Sequence, residues 1–234
     1  MLPTINAPTF EINLISQTVP VRYRPFTVKE EKILLVAEES DNERDSVFAI
    51  KQVVQNCCVS TLDVDTLPLF DLLYFYIQLR AKSVNNISEV SYRDKEDDQI
   101  YKFEIDFDSI VPVAGDGHSR EITLDKDFIV TFKYPTFDMI NRLGNVDPDS
   151  IETTIDLLEM CMDKIINGDE VYVCDNVTRE ERVSFIESLT TSQFEKIVEA
   201  FILTMPKISY KIEYTNTLDH KRTIILESPG DFFQ

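Results

Sequence analysis

The chain has 234 residues, 43% of them apolar, with 15 Phe, 9 Tyr, no Trp and five Gly. It is long and apolar enough to bury roughly 70% of its unfolded surface without a disulfide staple. Its 23 Lys and Arg against 42 Asp and Glu give a net charge of −19, a field that repels phosphate backbones and anionic lipid and excludes nonspecific nucleic-acid binding. The opening MLPTINAPTFEI lacks the basic and apolar regions of a signal peptide, so export by that route is not expected.

Residues 1–25 read as extended, with a strand over 19–24. Pro25 disfavours helical geometry at Arg24, so the helix that follows starts afresh at Thr27, which has Glu30 at capping-box spacing. A second helix runs from Asp41 or Asn42 to about Asn56, with Val47, Ile50, Val53 and Val54 on one stripe. Thr66 caps a third, with Pro68 in its first turn, reaching about Lys82. Its segment LFDLLYFYIQL, interrupted only by Asp71 and Gln78, is apolar on nearly every side. It is too short to span a bilayer, so it belongs in the core.

The period then changes to two. Residues 87–93 and 100–107 alternate around the polar turn DKEDDQ, with Tyr101, Phe103, Ile105 and Phe107 on one side. Strands over 120–124 and 128–134 follow the Gly115–Gly117 loop. Helices are expected over 136–143 and from Asp147-Pro148 to about Ile166, closed by Asn167-Gly168, and then a short strand over 171–174. A helix capped by Thr178 and Glu181 and another over 192–204 precede Pro206, and strands over 207–214 and 221–226 flank the turn TNTLDH. The fold class is α+β, with helical N- and C-terminal units and antiparallel β-hairpins. The expected division is 1–83 for the N-terminal helical unit, 84–134 for a hairpin-rich middle, and 135–234 for the C-terminal unit with its hairpin. The two polar-turned hairpins are similar in sequence, through duplication or convergence.

Catalytic motifs are absent from the sequence. The five glycines form no GxGxxG or Walker loop, and neither GxSxG nor HExxH occurs. His118 and His220 lie in loops about a hundred residues apart, each read as an exposed loop residue without a motif neighbour. Asp63/Asp65 and Asp147/Asp149 fit capping and solvation better than a calcium loop, which needs a central Gly and a terminal Glu. Cys57, Cys58, Cys161 and Cys174 have no CxxC spacing and read as reduced thiols. No metal and no cofactor is expected.

Four segments carry a family resemblance: VRYRPFTVKEEKILL (21–35), LRAKSV (79–84), ITLDKDFIVTFKYPTFDMI (122–140) and SYKIEYTN with IILESPGDFF (209–233). Together they resemble the T4-type bacteriophage baseplate hub and hub-assembly proteins. The resemblance implies a non-enzymatic tail-morphogenesis protein that contacts other phage tail or hub proteins, or copies of itself, and neither nucleic acid nor membrane. It implies the host cytoplasm during assembly as its location, with retention in the virion left open. No catalytic set transfers. The candidate partner-interface residues are Tyr23, Arg24, Phe26 and Lys29 at the first junction, Arg80 and Lys82, and Phe232 and Phe233 in the tail. Some relatives carry CxxC-like pairs in their hairpin turns. This chain has DKEDD and NTLDH there, so a zinc staple is not expected and the long acidic turn is expected to be the more mobile for it. Two other classes fit the acidic composition: a nucleic-acid mimic that binds basic proteins, and a carboxylate-based metal-dependent enzyme.

Overall fold

The computed structural model describes residues 7–39, 43–144 and 150–227. In chain order the elements are β1 (Phe10–Ile12), β2 (Val21–Tyr23), α1 (Val28–Glu38), α2 (Glu43–Cys57), α3 (Leu69–Ser83), β3 (Ile87–Arg93) and β4 (Ile100–Asp106). After these come β5 (Glu121–Asp125), β6 (Phe128–Phe132), α4 (Phe137–Leu143), α5 (Ile151–Cys161), β7 (Met162–Asn167) and β8 (Glu170–Val173). The chain ends with α6 (Arg179–Glu187), α7 (Thr191–Ile197), β9 (Tyr210–Thr215) and β10 (Lys221–Leu226). The α+β class follows directly.

Two compact units form, one from residues 1–113 and 207–234, the other from 114–206. This discontinuous division differs from the three consecutive segments expected. The terminal hairpin joins the first unit because Ile208, Ile212 and Leu226 bury themselves with Ile77 and Ala81 of α3 and with Val90 and Ile105 of the β3–β4 hairpin. Each fully buried ring in this unit, such as Phe75, contributes on the order of 2–3 kcal/mol.

In the first unit α3 is the post around which the rest is laid. The two polar residues that interrupt its apolar run brace other segments. The Asp71 carboxylate, fully buried, accepts from the N–H groups of Ile15 (3.0 Å) and Ser16 (2.7 Å), and the Gln78 amide donates to the Phe107 carbonyl at 2.7 Å. Pro68 occupies the N-cap of α3 rather than its first turn, and Thr66 instead ends a preceding 3₁₀ turn.

The turns of the β3–β4 and β9–β10 hairpins clasp each other. Tyr214 packs on Tyr101 and Phe103, ring centroids 4.7 and 5.2 Å away. Its hydroxyl donates to the Asp94 carboxylate at 2.7 Å. Glu96 accepts from Asn216 and pairs with His220 Nδ1, both at 2.8 Å, while Asp97 accepts from the Thr217 N–H (2.9 Å), the Thr217 hydroxyl (2.7 Å) and the Tyr101 hydroxyl (2.6 Å). Burial alone would raise the Asp97 pKa, but these hydrogen bonds outweigh it and hold the carboxyl below its ordinary 3.8. Both turns close on a residue of positive φ, Asp98 (57°) and Asp219 (62°), the left-handed conformation that Asp tolerates better than most residues. The acidic turn is therefore tied down by hydrogen bonds, contrary to the mobility expected of it. His220, although exposed, has a carboxylate partner.

The second unit carries an antiparallel sheet ordered β5-β6-β7-β8. Phe132, Leu158, Cys161, Ile186, Ile197 and Phe201 form its core. Helix α5 is shorter than expected: it stops at Cys161, and MDKIIN turns into strand β7 because Ile165 and Ile166 pair with Val130 and Ile129 of β6. Sheet pairing overrides the helical reading of those residues. Gly168, at φ +58, is thus a hairpin turn residue and not a helix stop. The Asp147-Pro148 start lies outside the described residues. The expected capping box at Thr178/Glu181 forms, another at Thr190/Gln193 starts α7, and after α7 the helix widens into a π-turn over Val198–Ile202. In the same unit Arg182 pairs with the buried Glu159 and donates to the Cys174 carbonyl at 2.9 Å.

Candidate functional site

The junction VRYRPF is a stitch. Tyr23 bridges to Cys58 beyond the end of α2, the Arg24 N–H donates to the Cys57 carbonyl at 3.0 Å, and the Val59 N–H donates to Arg22 at 2.8 Å. The Tyr23 ring packs edge-on against Phe75 at 5.3 Å and is 2% exposed. This corrects its reading as a partner anchor, since no partner reaches a ring in the core. Burial, with smaller contributions from Tyr74 and Asp108, pushes its hydroxyl up to about 12.

Arg24 is likewise turned inward. Its guanidinium donates to the carbonyls of Pro25 (2.9 Å) and Asn56 (3.2 Å) and to Glu30 at 3.0 Å. Glu30, itself buried, also accepts from the Thr27 N–H (2.9 Å) and hydroxyl (2.7 Å). Burial alone would raise the Glu30 carboxyl, but hydrogen bonds from Arg24 and Thr27 bring it down to about 2. Phe26 is held at the end of α3 through its N–H, which donates to the Ser83 hydroxyl at 2.9 Å.

These bonds set the roll of α1. Glu30, Ile33, Leu34 and Ala37, at helical spacing, face inward to different degrees. Val28, Leu35 and Val36 then face out, with Leu35 53% and Val36 68% exposed. Beneath Leu34 and Leu35 opens a groove of about 440 Å³, floored by Phe26, Ala49, Ile50 and Tyr76. Glu31 and Glu38, without an ion pair among the described residues, stand on its rim with Arg80. Seven positions apart on one helix, the two carboxylates are about 10 Å from each other along the axis.

The sequence-derived candidates therefore separate. Phe26 and Arg80 meet at the groove, and Lys29 lies exposed on the first turn of α1. Lys82 points elsewhere, pairing with Asp108 at 2.6 Å. Phe232 and Phe233 lie outside the described residues. Sequence reasoning missed Leu35, Val36 and the rim carboxylates. The sign was present: four consecutive apolar residues, Ile33 to Val36, exceed what a single inward stripe holds.

The groups suited to bond-making are held in structural roles. His118, expected in an exposed loop, is half-buried, with Nδ1 3.0 Å from the Thr204 hydroxyl and Nε2 2.8 Å from the Tyr134 hydroxyl. The Thr204 hydroxyl donates to Ala200 at 2.7 Å. Its oxygen is left to accept from Nδ1–H, and in the neutral ring Nε2 accepts from the Tyr134 hydroxyl. Burial, helped by the nearby Arg120, lowers the His118 pKa. All four cysteines are free thiols, and burial pushes Cys161 up to about 12, far from the thiolate a nucleophile needs. Among the described residues no three His, Cys, Asp or Glu side chains gather as a metal would require. What the groove offers is apolar surface with a charged rim, suited to receiving another protein surface.

Residues 7–234 match the family model described as T4 bacteriophage base plate protein. No curated protein and no solved structure matches the chain.

Proposed function

The chain belongs to the T4 bacteriophage base plate protein family, and from that premise we propose that it serves assembly of the baseplate hub through protein–protein contacts, with the α1 groove as its docking surface. The observation that carries the site is the outward Leu35 on an apolar groove, with Val36 exposed next to it in the helix, since a helix covered by its own chain alone would present polar residues there. Glu31 and Glu38 on the rim favour a partner segment that is apolar with Lys or Arg beside it, and the net charge of −19 discourages contact with nucleic acid. The partner in this reading is another tail or hub protein in the host cytoplasm during assembly. Inward-turned carboxylates such as Asp71, Glu30 and Glu159 fit this reading better than the regular surface tracks a nucleic-acid mimic requires.

The test is co-purification from infected cells with the intact chain and with Leu35→Glu. The expected result is that hub intermediates accompany the intact chain and are lost with the folded variant. Unaltered recruitment by Leu35→Glu overturns the groove, and normal tail production without the chain overturns the function. Finding the chain in purified particles identifies a retained subunit; finding it only in intermediates identifies a released assembly factor.

A further inference from the structure

The two edges of the second unit's sheet are treated differently. At the β5 edge Lys196 of α7 donates to the Thr123 carbonyl at 2.5 Å, so an outward backbone acceptor is already occupied. At the β8 edge every residue is exposed, with Val171 57%, Tyr172 47% and Val173 38% accessible. Sheets ordinarily guard such an edge with Lys, Pro or a covering element. Within Glu-Val-Tyr-Val no such guard occurs.

The register fixes which backbone groups face outward. Asn167 and Glu170 close a two-residue turn with Gly168 first, the type II′ arrangement, and therefore form a hydrogen-bonded pair. Pairs alternate along an antiparallel ladder, so Ile165 and Tyr172 are bonded while Ile166/Val171 and Lys164/Val173 are not. The N–H and C=O groups of Val171 and the N–H of Val173 consequently point away from β7, to the open edge, while the Val173 carbonyl leads into the 3₁₀ turn Cys174–Asn176. We propose that β8 is a strand-addition site that receives an extended, alternately apolar segment of another protein with a Lys or Arg at one end.

Charge selects this occupant over a second copy. A second copy would bring two chains of −19 together, each with Asp169 and Glu170 at the start of its β8. A segment with a basic end meets Asp169 and Glu170 favourably, while its backbone completes the hydrogen bonds of Val171 and Val173. This inference stands apart from the α1 groove and survives that groove's failure.

The test uses the full chain and fluorescent peptides in anisotropy titrations, with amide exchange followed at Val171 and Val173. The probes are Lys-Thr-Val-Thr-Val-Thr-Lys, the same peptide with N-methylated valines and threonines, and a version with Glu at both ends. The Lys-ended peptide is expected to saturate and to slow exchange at both amides, with the other two at least tenfold weaker. Val173→Pro should weaken binding at least tenfold while leaving the unfolding midpoint in place, because Val173 already has φ −83° and donates no bond to β7. Equal binding of the N-methylated or Glu-ended peptide, or unchanged exchange at the two amides, overturns the proposal. So does a concentration-dependent dimer, seen by sedimentation, that Val173→Pro abolishes, since the occupant is then a second copy.

Discussion

Carboxylates in two regions of this protein do opposite things. In the clasp between the hairpin turns, Asp94, Glu96 and Asp97 each accept hydrogen bonds from the facing turn. On the outer side of α1, Glu31 and Glu38 stand beside exposed apolar residues without an ion pair among the described residues. The difference teaches that an acidic composition has no single meaning. A carboxylate that finds donors on its own chain is a fastening, and one left on the rim of an apolar groove is available to a partner.

The largest blow to the clasp should come from Phe103→Ala, which removes the ring under Tyr101 and Tyr214. A loss of about 2–3 kcal/mol is expected in urea unfolding, with partner recruitment retained by the folded fraction. Tyr214→Phe deletes the hydroxyl that donates to Asp94 and meets Arg222, and should lower stability by about 1 kcal/mol in the same measurement.

The inward face of α1 sharpens the contrast through pH. Glu30 has a folded pKa depressed from its ordinary 4.5 to about 2, so its contribution is present above 4.5 and is lost as pH falls through about 2. Acid titrations of stability should show part of the decline across that window, and Glu30→Gln should remove that part while lowering stability at neutral pH. The smallest effect on stability is expected from Glu31→Gln with Glu38→Gln, within about 0.5 kcal/mol, because both groups are exposed. The same double variant should weaken the salt-sensitive part of partner binding. If it instead destabilises as much as Phe103→Ala, the rim is a second fastening and the contrast collapses.

Much of the fold was legible one element at a time. Alternation marked the hairpin of Ile87–Arg93 and Ile100–Asp106, capping chemistry placed the starts of α1 and α6, and the apolar run of α3 announced its central position. Errors arose where distant partners decide. MDKIIN reads as helix until β6 is beside it, and the loop residue His118 reads as exposed until Thr204 and Tyr134 close on it. The candidate site was half legible for the same reason: the aromatic and basic character of the Tyr23–Lys29 junction was plain, but not which of its side chains faces inward.

By itself the sequence determined what local rules determine: helix starts, strand periodicity, the net charge, the absence of familiar catalytic motifs and the four segments that pointed to a family. Only the tertiary structure decided which carboxylates are fastenings, which ring at the first junction is core, and where α1 shows its second apolar face. Periodicity and capping act over a few residues and are written in neighbouring positions. Donor and acceptor pairs such as Tyr214 with Asp94, 120 residues apart, exist only once the chain has folded.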